Sequence, residues 1–144
     1  MKIKELLATM EERGLPCAEE HETIQGVLMK MLQYPHTRLI YVTGENGQCT
    51  GVISLGTLIR HLFPQSFEPT VHARSIISMI TSETAKDIMN KGLIFAGGED
   101  DLETVIKRMV KARVKEIPIL DDQKRIIADL TMLDLLQYYH PEPE

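Results

Sequence analysis

Histidine, glycine and acidic residues are the first candidates for chemistry in this chain, and their spacing predicts no catalytic site. The five histidines are scattered and never adopt the H-x-x-x-H or H-E-x-x-H spacing of helical metal sites. Gly97-Gly98 precedes a predicted helix, but Asp100 and Asp101 already occupy the helix start that would attract a phosphate. Nucleophile-elbow, P-loop and paired-acid patterns are also missing. We therefore predict that the protein is not an enzyme and holds neither a metal nor a cofactor.

Composition narrows the class of protein further. The chain has 144 residues, about the size of one compact domain, and a formal net charge of -5. An acidic balance disfavours binding to nucleic acid or to an anionic membrane surface. No apolar run approaches the roughly 18 residues that a membrane span needs. We expect a cytoplasmic globular protein whose partners are neither nucleic acid nor membrane.

The elements that must position any site occur twice along the chain. Apolar residues at helical spacing run from Ile24 to Leu32, and the same pattern recurs 78 positions later, from Leu102 to Val110. Each helix is followed by a short apolar strand, a polar turn, a second strand and a short apolar helix. The predicted bounds of these later elements are Leu39–Val42, Cys49–Ser54 and Leu55–Phe63 in the first copy, and Ile117–Leu120, Ile126–Thr131 and Met132–Tyr139 in the second.

The remaining segments are predicted to connect or flank the two copies. A leading helix begins at Ile3 and ends near Gly14, and a capping box from Thr84 to Asp87 starts another short helix. We predict four segments: residues 1–63 with the leading helix and first repeat, a 64–82 connector, a second repeat over 83–140, and a 141–144 tail. The connector carries apolar residues at helical spacing from Ala73 to Ile80, so it is predicted to contain a helix.

The repeated pattern resembles the cystathionine-β-synthase (CBS) domains, which occur as tandem pairs called Bateman modules. The stretches that carry the resemblance are A-K-D-I-M from Ala85, E-I-P-I-L-D from Glu116, I-I-A-D-L-T-M-L-D-L-L from Ile126, L-I-Y-V from Leu39 and G-V-I-S-L-G-T-L-I from Gly51. The resemblance implies an α/β (α+β) fold of two β-α-β-β-α repeats with pseudo-twofold symmetry, an added N-terminal helix and an inter-repeat helix. It also implies a homodimer.

Members of this family commonly bind adenosine-containing ligands through a Gly-h-x-Thr/Ser-x-x-Asp signature, in which h is apolar. In the second repeat Thr131 and Asp134 match, whereas Ala128 replaces the glycine and Asp129 stands at the apolar position. The resemblance implies that the threonine caps a helix whose start favours phosphate, and that Asp134 accepts the ribose hydroxyls.

The first repeat matches the signature less well. Ser54 fits, but Thr57 replaces the aspartate. We therefore expect one competent site per chain, centred on Asp134, and a degenerate or empty site in the first repeat.

Further ligand-binding residues are implied by family positions. Arg38 and Lys115 precede the second strand of their repeats and would bind phosphate. The adenine base would lie against four apolar residues, Ile94, Ala96, Ile117 and Pro118. Ile94 and Ala96 are predicted to lie on the same strand. Other interpretations stay open, because Thr131 and Asp134 also suit an ordinary helix cap, and Arg38 and Lys115 also suit solvated surface charges.

The leading hypothesis is a regulatory or sensor module. It would bind AMP, ADP, ATP or S-adenosylmethionine in the cleft between the repeats and signal to a partner protein by a conformational change. The alternative is a ligand-free module that dimerises or scaffolds through apolar helices such as Ala73–Ile80. A third hypothesis is an enzyme that completes its site across a dimer.

Overall fold

The computed structural model describes residues 1–63 and 83–139. Each repeat forms the predicted strand-helix-strand-strand-helix series. In the first part of the chain the elements are α1 (Ile3–Thr9), β1 (Cys17–Glu19), α2 (Ile24–Gln33), β2 (Leu39–Thr43), β3 (Cys49–Ser54) and α3 (Leu55–Leu62). In the second part they are α4 (Ala85–Ile88), β4 (Ala96–Gly97), α5 (Leu102–Ala112), β5 (Glu116–Leu120), β6 (Ile126–Thr131) and α6 (Met132–Tyr139).

The strands form two three-stranded sheets of the same design. Their orders are β1-β2-β3 and β4-β5-β6. In each sheet the first two strands are parallel, as a strand-helix-strand connection requires, and β5 and β6 pair antiparallel across a short turn. The prediction of an α/β fold built from two equivalent repeats is therefore confirmed.

The chain divides into two compact units. The second-repeat unit contains Met1–Leu15, the short segment Gly47–Cys49 and the chain from Ile94 onward. The first-repeat unit contains Pro16–Asn46 and Thr50–Leu93. The helix that precedes the first repeat in sequence, α1, thus belongs to the unit that contains the second repeat.

Helix α1 completes the core of the second-repeat unit. Ile3 and Leu6 lie one turn apart on one face of α1 and are buried with Met109, Ile117 and Leu130. The predicted end of this helix near Gly14 is wrong, because the helix ends at Thr9. Met10, the residue after the helix, has an extended backbone, and residues 10–16 lie in no helix or strand.

The core of the first-repeat unit is completed in the same way by α4. Ala85 is fully buried against a cluster that includes Val27, Ile40 and Ile53. The predicted capping box at the start of α4 is present, since the backbone N–H and hydroxyl of Thr84 both donate to the Asp87 carboxylate.

Some predicted features lie outside the described residues. These are the helix over Ala73–Ile80, the rest of the 64–82 connector and the 141–144 tail. Among the residues that the structure describes, no helix has both the length and the apolar character that a membrane span requires.

Candidate functional site

The junction between β6 and α6 fixes the two residues that match the signature. Thr131 is the last residue of β6, and its hydroxyl accepts the N–H of Asp134 at 3.1 Å. In return, the Thr131 N–H donates to Oδ2 of Asp134 at 2.8 Å. Both side chains are buried, with exposed fractions of 4% and 7%. These reciprocal hydrogen bonds hold the carboxylate in one orientation in the first turn of α6.

Arg13 is the main partner of this carboxylate. Its Nη1 donates to Oδ1 of Asp134 at 2.9 Å, and its Nη2 donates to Oδ2 at 2.7 Å. The same guanidinium reaches Asp129, because Nε donates to Oδ1 of that residue at 3.2 Å and Nη2 donates to its carbonyl oxygen at 3.0 Å. One half-buried arginine therefore forms ion pairs with two buried carboxylates, and we call these three side chains the Arg13 clamp.

The clamp keeps Asp134 ionised. Burial by itself would raise the pKa of Asp134, but hydrogen bonds from Arg13 and from the Thr131 N–H outweigh burial and hold that pKa below its ordinary value. Reciprocally, the hydrogen bond to Asp134 raises the pKa of Arg13. The junction therefore carries a fixed ion pair over the whole physiological pH range.

The clamp also explains a departure from the signature. Asp129 stands where the resemblance expects an apolar residue, and it is 1% exposed on β6. A buried carboxylate at a strand position needs a cation, since an unpaired charge there would cost several kcal/mol. Sequence reasoning missed Arg13. Asp129 at an expected apolar position indicates that a cation must lie nearby. The sequence does not indicate which arginine or lysine supplies that charge.

The corresponding junction of the first repeat has a threonine, Thr57, where the second repeat has Asp134. The hydroxyl of Ser54 caps α3 by accepting the Thr57 N–H at 3.1 Å, and the two hydroxyls also lie 3.1 Å apart. Ser54 and Thr57 are both half-buried. This junction has the geometry of a helix cap, with a hydroxyl where the second repeat has a carboxylate.

The two cations predicted to bind phosphate lie at matching places. The carbonyl of Lys115 accepts the N–H of Met132, and the carbonyl of Arg38 accepts the N–H of Leu55, which ties each residue's backbone to the start of α6 or α3. Both side chains are exposed. Lys115 thus belongs to the junction that contains Thr131, whereas Arg38 belongs to that of the first repeat.

The residues predicted to line the base belong to the second-repeat unit. Ala96 lies on β4, and Ile117 and Pro118 lie on β5; all three are buried. The prediction that Ile94 shares the strand with Ala96 is wrong, because β4 contains only Ala96 and Gly97. Ile94 precedes it and is half-buried against the core. Ala96 and Ile117 are core residues, so their packing alone accounts for their apolar character.

Two cavities in the second-repeat unit flank Arg13. The larger, of about 540 Å³, is lined by Leu6, Met10, Asp134 and Tyr138 among others. The smaller, of about 390 Å³, includes Asp129 in its lining, and Arg13 lines both. These volumes are within the range of small-molecule sites. Among the described residues, no group of three histidine, cysteine or acidic side chains is arranged to hold a metal ion.

The described architecture defines a class: a tandem repeat of β-α-β-β-α units, each with a hydroxyl-capped junction between its last strand and last helix. The family model described as "CBS domain" matches residues 3–64 and 85–141. The chain therefore belongs to the CBS domain family.

Comparison with individual proteins agrees with this assignment. The chain is 32% identical over 56 residues to inosine-5'-monophosphate dehydrogenase of Methanocaldococcus jannaschii. That match spans 39% of this chain and only 11% of the enzyme, so it concerns a small part of that protein.

Solved structures share the fold at low sequence identity. Protein MJ1225 of Methanocaldococcus jannaschii has a TM-score of 0.77 at 18% identity, over 96% of this chain and 49% of that one. CBSX2, solved in complex with AMP, has a TM-score of 0.75 at 14% identity, over 96% and 95% of the two chains. The CBS domain pair of protein MJ0100, solved with 5'-methylthioadenosine and S-adenosyl-L-methionine, has a TM-score of 0.69 at 16% identity, over 96% and 95%. At these identities the likeness concerns the fold.

Proposed function

We propose that this protein is a regulatory module that binds an adenosine-containing ligand at the β6–α6 junction of its second repeat. The observation that carries the proposal is the buried carboxylate of Asp134, fixed by Thr131 at the position that the family signature gives to ribose recognition. The ligands seen in CBSX2 and in the domain pair of MJ0100 support the chemical class. AMP, ADP, ATP and S-adenosylmethionine all share the adenosine that this site would recognise.

Each residue at the junction has a role in this proposal. Asp134 accepts the two ribose hydroxyls, since an ionised carboxylate acts only as an acceptor. The first turn of α6, with Lys115 beside it, favours the negative charge of a phosphate. The adenine ring is proposed to lie against Ile94 and Pro118, while Ala96 and Ile117, which are fully buried, support this wall from the core.

The first repeat is proposed to bind ligand weakly or not at all. Thr57 offers a hydroxyl in place of the carboxylate, and that hydroxyl already lies within hydrogen-bond distance of Ser54. A neutral hydroxyl accepts less strongly than a carboxylate, so a ribose would gain less there. Arg38 remains available to phosphate, but without a ribose acceptor we propose one competent site per chain.

Ligand binding is proposed to act through other proteins. A ligand changes a conformational equilibrium only by its different affinities for the two states, so signalling needs a partner that distinguishes those states. We propose a cytoplasmic, non-enzymatic protein whose partner is another protein, in keeping with the formal net charge of -5.

A homodimer is part of the proposal. Two large apolar side chains at equivalent positions of the repeats, Leu32 on α2 and Val110 on α5, are 68% and 61% exposed. Contiguous exposed apolar patches are typical of association surfaces, and Met29, which is 57% exposed, lies one turn from Leu32 on α2. The same observation favours the second candidate function, a ligand-free module that scaffolds through these helices.

A melting screen of the intact protein separates the two candidates. Titration with AMP, ADP, ATP and S-adenosylmethionine should raise the melting temperature with ligand concentration if the module binds adenosine. Two cap variants supply a matched test, because each removes one hydroxyl from an equivalent junction. Thr131→Val should reduce the ligand-induced shift, and Ser54→Ala should leave it unchanged. If no ligand moves the transition, the scaffold is the better proposal.

A further inference from the structure

The guanidinium of Arg13 is hydrogen-bonded to the carboxylate oxygens of Asp134 that the proposed ligand would use. Nη1 and Nη2 of Arg13 donate to the two oxygens of Asp134 at 2.9 and 2.7 Å. A ribose presents two neighbouring hydroxyl donors to a carboxylate in much the same manner. Oδ2 of Asp134 also accepts the Thr131 N–H, so few acceptor positions remain. Arginine and ribose therefore compete for the same edge of one carboxylate.

We propose that Arg13 is a built-in competitor of the ribose at Asp134 and thereby determines how tightly the site binds its ligand. This inference rests on the proposed function above. Ligand binds only those molecules in which Arg13 has left Asp134, so the apparent Kd rises in inverse proportion to that fraction. The charged guanidinium forms stronger hydrogen bonds than a neutral diol, and it is tethered beside the site.

The surroundings of Arg13 allow such an exchange. Its side chain is 26% exposed, and residues 10–15 lie in neither a helix nor a strand. Arg13 lines two cavities, of about 540 and 390 Å³. Asp129 provides a second anchor, because its carboxylate and its carbonyl oxygen bind Nε and Nη2 independently of Asp134. The arginine can leave one carboxylate while it remains paired with the other.

The test removes the competitor together with one of its two buried carboxylates, so that Asp134 is the one residue of the clamp that stays charged and buried. Arg13→Met combined with Asp129→Val deletes one positive and one negative group, restores an apolar residue at position 129 and keeps Asp134 with its Thr131 hydrogen bond. Lys4→Met combined with Glu99→Gln is the matched control, since it removes an exposed ion pair of the same unit. Adding Asp134→Asn to the first variant shows whether any binding gained depends on the carboxylate.

Adenosine is the probe, because it carries the ribose diol and no charge. Calorimetric titration should show that the Arg13→Met/Asp129→Val variant binds adenosine about tenfold or more tightly than the wild type and the control variant. Adding Asp134→Asn should abolish the gain. Equal or weaker adenosine binding by the variant, or a gain that survives Asp134→Asn, overturns the inference.

Parallel titrations with AMP and S-adenosylmethionine distinguish a wrong competitor role for Arg13 from a wrong proposed function. If the wild type binds either ligand but the variant gains nothing for adenosine, only the competitor role is wrong. If neither protein binds any of the three compounds, the proposed function is wrong and the competitor role fails with it.

Discussion

Arg13 and Asp134 are 121 positions apart in the chain, yet they form a bidentate ion pair with N···O distances of 2.9 and 2.7 Å. This pair joins the segment after α1 to the first turn of α6. The guanidinium of Arg13 therefore contacts Asp134, the residue that the family signature associates with ligand binding. Stability and ligand binding therefore depend on the same carboxylate, and several predictions below separate the two.

Loss of the arginine alone should strongly destabilise the protein. Arg13→Met removes the guanidinium that pairs with Asp129 and Asp134, which are 1% and 7% exposed. Breaking a buried pair by removing one partner costs about 3–5 kcal/mol in the free energy of unfolding. Urea denaturation measures this cost, and Lys4→Met, which removes an exposed cation, should change the same quantity by less than about 1 kcal/mol. Similar costs for both variants would show that the clamp contributes no more than a surface pair.

The clamp should also make stability depend on acid pH. The pKa of Asp134 is held below its ordinary value in the folded protein, despite burial, by Arg13 and Thr131. Its contribution is therefore complete above the unfolded value of about 3.9 and is lost as pH falls through the lower folded pKa.

Melting curves between pH 6 and pH 2 measure this dependence. The comparison is with the Arg13→Met/Asp129→Val/Asp134→Asn variant, which lacks all three charged groups. The stability of the wild type relative to this variant should be constant above about pH 5 and should decline below about pH 4. A difference that stays constant to pH 2 contradicts the assigned role of Asp134.

Helix α1 should be essential to the stability of the second-repeat unit. Leu6 is 1% exposed in the core that also contains Met109 and Ile117. Leu6→Ala should lower the free energy of unfolding by about 2–5 kcal/mol, because it opens a cavity in that core. Leu136→Ala deletes the same atoms from a side chain of α6 that is 66% exposed and should change it by about 0.5 kcal/mol or less. Equal effects would mean that α1 does not pack as described.

The exposed apolar residues should hold the proposed homodimer together. Leu32→Glu puts a charge onto the apolar surface of α2 and should shift the protein towards monomer in sedimentation velocity. Gln33→Glu adds the same charge at the neighbouring exposed position and should leave the dimer intact. A wild-type protein that sediments as a monomer at all concentrations would refute this part of the proposal.

The repeated elements could be predicted because their signals are local. Helix α2 was expected from the spacing that begins at Ile24, and the structure has it over Ile24–Gln33. The same holds for β2, β3, β5 and β6, whose apolar runs are bounded by polar turns. Both turns span five residues, and each contains a residue at positive φ, Gly47 at 75° in the first turn and Lys124 at 66° in the second. Periodicity and turn chemistry act over a few residues, so one sequence suffices to detect them.

The clamp could not be predicted because it depends on tertiary structure. The sequence predicts that α1 continues towards Gly14, but the helix ends at Thr9, and Arg13 lies in the segment that follows, where it contacts Asp129 of β6. No local pattern relates Arg13 to Asp129. The departure of Asp129 from the signature was visible, and it marked a position where the fold had to supply a positive charge.

The most direct test of the account is the stoichiometry of ligand binding by the intact protein. Calorimetric titration with AMP and with S-adenosylmethionine should give saturable binding at one site per chain for at least one of them. That site should be weakened by Thr131→Val and unaffected by Ser54→Ala. The absence of binding by both ligands, or two equal sites per chain, would contradict a single adenosine site at the Asp134 junction.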